Sequence, residues 1–157
     1  MNPLRPVAIW IGGLSWLPRY SKYIVAADMF LRRVSGGRFR VLALASLPEM
    51  LLTVAGRKSG IERTTPLLCV PFEGGWYVVG SNWGAPKPPV WALNLAGAQQ
   101  ARVTFKRHEH QVVPRRLEGA ERAAAWQVCL RTWPNYAKYA TRTDRELALF
   151  ELTPVAA

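Results

Sequence analysis

Arg57, Lys58 and Arg63 fall within seven residues, in the stretch LLTVAGRKSGIERTTPLL at positions 51–68. Cations this close together suit a phosphate: arginine offers a planar fork and lysine a point charge. Gly56 and Gly60 bracket the first two. Glycines let backbone N–H groups approach an anion and form a nest. Two readings fit these residues alone, a solvated hairpin turn or an anion-binding turn. The phosphate loop of nucleotide triphosphatases does not fit. That motif needs G-x-x-x-x-G-K-[ST] opening a helix. Here no glycine precedes Gly56 at the right offset, residues 61–65 favour a strand, and Pro66 stops a helix.

The remaining reactive side chains form no complete acid–base set. His108 and His110 stand two apart in a polar stretch, 107–110, read as an exposed turn. Without a third ligand such a pair is solvated rather than metal-binding. Tyr136 and Tyr139 lie three apart, on one helix face, where they either pack or present hydroxyls. No catalytic triad is evident, nor are paired carboxylates in one pocket. Cys69 and Cys129 have no metal-like spacing and read as reduced core thiols, which suits the cytoplasm. A basic turn and many aromatics without an acid–base pair point to a cofactor that carries the chemistry. That cofactor is expected to be planar, aromatic and phosphorylated.

Charge supports an anionic ligand. The 157 residues hold 21 Lys+Arg against 10 Asp+Glu, a net +11, in the length of one domain. Nine of those cations and two of the acids stand at or before Gly60, so +7 lies in the first part. Such a surface attracts nucleic acid, an acidic membrane leaflet or a polyanionic small molecule. Seven Trp would permit base stacking, but the cations follow no nucleic-acid motif, so nucleic acid is not expected as a partner.

The elements that must position these residues follow from periodicity and turn chemistry. The apolar run 7–17 is too short to span a bilayer and lacks a small-residue cleavage site. Trp10 and Trp16 beside Arg5, Arg19 and Lys22 either seat it in a membrane interface or pack it on its own domain or a partner subunit. Ser21 is read as the N-cap of a helix over 21–34, which Gly36 and Gly37 end. Residues 38–47 fit a short strand or a connector. Two strands flank the basic turn, the second expected to reach Phe72, and Gly74-Gly75 leads to a third over 76–80. The segment 81–89, SNWGAPKPP, is an irregular loop, followed by a short helix over 90–96 that Pro88 and Pro89 introduce. Strands over 101–106 and 111–117, a helix over 118–131 and a closing strand over 147–152 complete the chain. Tight turns between strands predict a mostly antiparallel sheet, closed as a barrel.

Three blocks of residues resemble the deazaflavin (coenzyme F420)-dependent nitroreductase and quinone reductase family. The first is Gly56-Arg57-Lys58-Ser59-Gly60 with Arg63-Thr64-Thr65-Pro66-Leu67. The second is Ser81-Asn82-Trp83-Gly84 followed by Pro86, Lys87, Pro89, Trp91, Asn94 and Leu95. The third is Trp133-Pro134-x-Tyr136-x-x-Tyr139 with Arg142-Thr143-Asp144-Arg145. Trp133 stands where a tyrosine is often found, and Asn82 where some members have lysine. The resemblance implies an α+β fold, a mostly antiparallel split β-barrel of the FMN-binding type with flanking helices. It divides the chain into an N-terminal helical segment, 1–36, and a cofactor-binding barrel, 37–157. It implies hydride transfer from reduced coenzyme F420 to a quinone, enone or nitroaromatic. Cofactor contacts carried over are Thr53, Arg57, Lys58, Ser59, Gly60, Arg63, Ser81, Asn82, Trp83, Gly84, Ala85, Lys87 and Trp91. Lys58 and Arg63 are expected to anchor phosphate, and backbone N–H groups of 81–85, with Ser81, to hold the ring. Tyr136 or Tyr139 is expected to orient the acceptor and relay a proton. The Arg32, Arg33, Arg38 and Arg40 cluster is expected to meet the cofactor's anionic tail. Alternatives are an FMN flavoprotein on the same barrel and a non-catalytic deazaflavin carrier. A homodimer and a cytoplasmic location, on the inner face of the membrane if the N-terminus binds lipid, complete the expectations.

Overall fold

Seven strands form a single sheet in the order β2-β1-β5-β6-β7-β4-β3, every neighbouring pair antiparallel. They are β1 (Glu49–Ala55), β2 (Glu62–Leu68), β3 (Val70–Phe72), β4 (Gly75–Gly80), β5 (Ala101–Phe105), β6 (His108–Arg116) and β7 (Ala148–Pro154). The computed structural model describes residues 2–156. Its helices are α1 (Leu4–Gly12), α2 (Ser21–Val34), α3 (Val41–Leu44), α4 (Val90–Ala96), α5 (Gly119–Thr132) and α6 (Asn135–Thr141), with 3-10 turns at Leu17–Tyr20 and Asn82–Gly84. This is the expected α+β split barrel. No described helix is long and apolar enough to cross a membrane.

Alternation along the strands builds the core. Met50, Leu52 and Val54 of β1 point inward and meet Val103, Val112, Phe150 and Leu152. On the opposite face of β4 and β7, Val79 and Leu149 pack under α5 and α6 with Ala125, Cys129, Trp133, Tyr136 and Tyr139. Strands β4 and β7 are therefore covered on both faces. The two tyrosines belong to this second cluster.

Several local readings are corrected. The strand expected to run to Phe72 breaks at Cys69, whose N–H bonds Pro48, because β2 pairs with β1 while β3 pairs with β4. Ser21 is the first helical residue of α2, not its cap; no side chain caps that end. At the other end the reading holds. Gly36 and Gly37 adopt φ of 61° and 80°, and the Gly37 N–H closes on the Arg32 carbonyl at 2.7 Å. The undecided stretch 38–47 contains the single turn of α3. The turn between β5 and β6 is shorter than expected. Lys106 and Arg107 alone make it, at φ 47° and 72°, so His108 and His110 lie on β6. Mirror-type two-residue turns normally announce themselves by Asn-Gly, and a Lys-Arg pair gives no such signal. His110 rests 5.2 Å from the Trp76 ring.

Residues 2–20 fold back on the barrel. The Arg5 guanidinium donates to the carbonyls of Arg131 and Thr132, each at 3.3 Å, and Asn135 Nδ2 donates to that of Ile9. A Cβ on Gly12 would collide with the Trp133 ring. The outer surface of this region is apolar and basic. Trp10, Trp16, Tyr20 and Tyr23 are more than half exposed, and Arg19 and Lys22 stand among them.

Candidate functional site

The two edges of the curled sheet do not meet, and a cleft of about 730 Å³ lies beside them. Thr65, Leu67 and Leu68 of β2 form one side, Ser81, Asn82 and Trp83 another, with Trp91 from α4 and Tyr136 and Tyr139 from α6. Helix α2 closes the outside through Ser21, Lys22, Ile24, Val25 and Asp28. Six of the carried-over residues thus share one cavity: Ser81, Asn82, Trp83, Trp91, Tyr136 and Tyr139.

The basic turn lies along the same strand. Arg63 stands opposite Val54, and Thr65 opposite Leu52, so Arg63, Thr65 and Leu67 share one face of β2. Arg63 thus shares the strand face of Thr65 and Leu67, although Arg57, Lys58 and Arg63 are not among the residues that line the cavity. The turn is tied to α4: the backbone N–H and the guanidinium of Arg57 both donate to Asn94 Oδ1, at 3.1 and 3.2 Å. Asn94 lies one helical turn beyond Trp91, so a single helix links the turn to the cavity. Gly60, at φ 72°, closes the turn by bonding the Gly56 carbonyl. Ser59 Oγ accepts the Ile61 N–H. Those bonds engage the amides of Arg57, Gly60 and Ile61, while those of Lys58 and Ser59 have no partner among the described residues. No carboxylate lies within ion-pair distance of Arg57, Lys58 or Arg63 among the described residues. Thr53 is on the other face of β1, where its hydroxyl shares a 2.7 Å hydrogen bond with Thr64. The Lys87 side chain is exposed, and its carbonyl accepts from Asn82 Nδ2 at 2.9 Å.

Loop 80–85 is held by arginine. One guanidinium, Arg145, donates to the carbonyls of Gly80, Ser81 and Ala85 at 3.1, 2.8 and 3.0 Å. Arg142 donates to those of Trp83 and Gly13 and sits 5.3 Å over the Tyr139 ring. Asn82, Trp83 and Gly84 all take positive φ, at 44°, 52° and 80°. Gly84 is buried against α6, where a Cβ would stand 2.5 Å from the Tyr139 carbonyl. The expectation that amides of 81–85 all face a ring meets a constraint here. Those of Ser81, Gly84 and Ala85 already donate to Val79, Ser81 and Asn82. Only the Asn82 and Trp83 N–H groups have no backbone partner among the described residues.

The two tyrosines differ. Tyr139 donates its hydroxyl to the Gly12 carbonyl at 2.5 Å, capping the C-terminal end of α1. The Tyr136 hydroxyl has no protein partner among the described residues, and its ring lies 6.0 Å from Trp126 and 6.3 Å from Tyr139. Burial pushes both phenols up, Tyr136 further, so both are neutral donors near pH 7.

One pairing was invisible in sequence. Asp28 and Glu49, 21 positions apart, meet at Arg32, and both border the cleft. Burial raises the Glu49 carboxyl above its ordinary range despite Arg32 beside it. The same contact corrects the view of Arg32, Arg33, Arg38 and Arg40 as one exposed cluster. Arg32 is buried and paired, and Arg40 pairs with Glu49. Only Arg33 and Arg38 remain fully on the surface.

Comparison with known proteins bears on the fold and the family. The sequence profile described as F420H(2)-dependent quinone reductase matches residues 25–154. A solved structure of an F420-H2 dependent reductase is 35% identical, with a TM-score of 0.62, over 67% of this chain and 93% of that one. A second, described as a domain-swapped dimer, is also 35% identical with a TM-score of 0.62, over 67% of this chain and 79% of that one. The heme storage protein HutZ from Vibrio cholerae shares the fold at 13% identity and a TM-score of 0.52, over 69% of this chain and 82% of that one. The chain belongs to the F420H(2)-dependent quinone reductase family, oxidoreductases built on a split β-barrel.

Proposed function

We propose that the phosphate of reduced coenzyme F420 is held by Lys58 and Arg63 and its ring system by the 81–85 loop and Trp91. The acceptor, a quinone, enone or nitroaromatic, then occupies the cleft beside Tyr136. The carrying observation is the shared face of Arg63, Thr65 and Leu67, which runs from unpaired cations to an aromatic cavity. The donor set suits the cofactor: cations without a carboxylate partner and two unbonded amides for phosphate, apolar walls for a planar ring. When bound, the deazaflavin supplies the hydride. The chain's own residues bind, orient and exclude water. Tyr136, neutral and with no hydroxyl partner among the described residues, would donate a hydrogen bond to an oxygen that gains charge as the acceptor is reduced. Ser81 stands on the same wall and is assigned to the ring.

The test is a fluorescence titration of Lys58→Ala and Arg63→Ala with coenzyme F420 and with FMN. Each loses a charge-assisted bond, so coenzyme affinity should fall about ten- to a hundredfold while the fold persists. FMN should bind more weakly than F420 to the unaltered protein. Unchanged affinity in both variants would reject the phosphate assignment, and tighter FMN binding would favour a flavoprotein.

Two finer readings concern assembly and place. A relative solved as a domain-swapped dimer supports a homodimer for this chain. The reduced thiols Cys69 and Cys129 suit a cytoplasmic enzyme. Exposed Trp10, Trp16, Tyr20 and Tyr23 among Arg19 and Lys22 support peripheral contact with an anionic leaflet.

A further inference from the structure

Helix α2 walls the cleft, yet little apolar surface holds it there. In its 14 residues the only buried side chains are Asp28 and Arg32, both charged. Of its large apolar residues, Tyr23, Phe30 and Val34 are 62%, 65% and 70% exposed, and Ile24, Val25, Met29 and Leu31 are only half-buried. An amphipathic helix is normally fixed by its apolar stripe; here that stripe is only half-buried and the fully buried contacts are ionic. Arg32 Nε donates to Asp28 Oδ2 at 2.6 Å, and a terminal Arg32 nitrogen donates to Glu49 Oε2 at 2.6 Å. Asp28 Oδ1 accepts the Val41 N–H at 3.1 Å, which draws in α3. Glu49 is the first residue of β1, so one guanidinium joins the wall helix to the barrel.

The chain around α2 allows movement. Gly36 and Gly37 follow it in left-handed geometry, with nothing within 4 Å of where a Cβ would stand. The 3-10 turn Leu17–Tyr20 precedes it. Glu49 also borders a second cavity of about 220 Å³, across which Lys106 and Arg107 stand. Neither is within ion-pair distance of Glu49. Arg40 Nε lies 3.3 Å from Glu49 Oε1 but out of hydrogen-bonding alignment, and both atoms are buried without a partner. Arg32 is thus the cation that hydrogen-bonds Glu49, while Arg40 adds an ion pair without a hydrogen bond.

We infer that Asp28, Arg32 and Glu49 are positioning residues, an ionic latch that holds α2 as a movable wall and sets the width of the cleft. The inference rests on the reading of that cleft as the acceptor site. A buried fork between two carboxylates fixes one geometry, and removing the guanidinium leaves two like charges facing each other. Local opening of the wall then becomes easier while the sheet stays intact.

The experiment is amide hydrogen exchange on the full chain, paired with kinetics using a soluble naphthoquinone. Arg32→Met should lower protection across 22–34 by about ten- to a hundredfold relative to β5, β6 and β7. Arg32→Lys should fall between, because an ammonium reaches one carboxylate at a time. Coenzyme affinity should stay within about threefold, whereas KM for the quinone should rise more than kcat falls. Should Arg32→Met fail to fold, Glu49→Gln, which keeps shape and removes charge, should give a smaller loss of protection in the same helix. Wild-type protection of α2 in Arg32→Lys and Glu49→Gln overturns the latch. Loosened α2 with an unchanged quinone KM leaves the latch standing and rejects the cleft as acceptor site.

Discussion

Replacing Gly84 by alanine should be the most damaging single-methyl change in the loop that faces the cleft. Two costs combine. At φ 80° the residue is left-handed, which costs an L-side chain about 1–2 kcal/mol. The new Cβ would also stand 2.5 Å from the Tyr139 carbonyl and 2.8 Å from Arg142 Cβ. Neither neighbour is a free side-chain end: one is helix backbone, the other the base of a bonded arginine. Overpacking of this kind adds about 1–3 kcal/mol. The sum is about 2–5 kcal/mol, or roughly 5–15 °C in midpoint for a chain of this length. Gly60→Ala separates the two costs. Its φ is 72° but nothing lies within 4 Å of its Cβ, so it carries the strain alone. Gly97→Ala carries neither, its nearest Cβ neighbour being at 3.9 Å, and should be neutral or slightly stabilising. Urea unfolding followed by tryptophan fluorescence ranks the three. If Gly84→Ala loses no more than Gly60→Ala, the close approach of loop and α6 is not a constraint.

The tyrosines should separate by phenotype. Tyr139→Phe strands the Gly12 carbonyl and should cost about 1–3 kcal/mol, whereas Tyr136→Phe should melt like the wild type but turn over slowly; full turnover in Tyr136→Phe with every acceptor removes its hydroxyl from the reaction. For the surface, Trp10→Ser with Trp16→Ser should reduce pelleting with anionic vesicles and leave the melting midpoint unchanged, since both rings are more than half exposed. Equal pelleting of the double variant would end the membrane reading.

What was legible in sequence was what local rules govern. Gly36-Gly37 marks the end of α2, Pro88-Pro89 the start of α4, and Gly74-Gly75 the turn before β4, because each needs a backbone only those residues favour. The cleft residues Ser81, Trp91 and Tyr136 came from a family pattern, not from periodicity. What escaped depends on tertiary approach. Asp28 and Glu49 look like scattered charges until α2 crosses β1. Arg32 looks like a last-turn surface cation until it turns inward. Asn94 looks like a polar interruption in an apolar helix, yet it fixes the basic turn. Arg142 and Arg145 were part of a recognisable block, but nothing in their spacing indicated that both would grip carbonyls of a loop some 60 positions earlier.

Strands β2 and β3 occupy the two outer positions of the sheet, yet Cys69 alone separates them in the chain. The gap between the edges is therefore a tapered slit, covalently pinned at one end and free at the other. It cannot widen uniformly; any spreading must grow with distance from Cys69. From Leu68 back to Glu62 the slit wall measures about 20 Å, at roughly 3.3 Å per residue. The basic turn lies at the end remote from Cys69, and the cleft residues Thr65, Leu67 and Leu68 lie at the end near it. A ligand that bridged the two ends of this wall would have to span about that length.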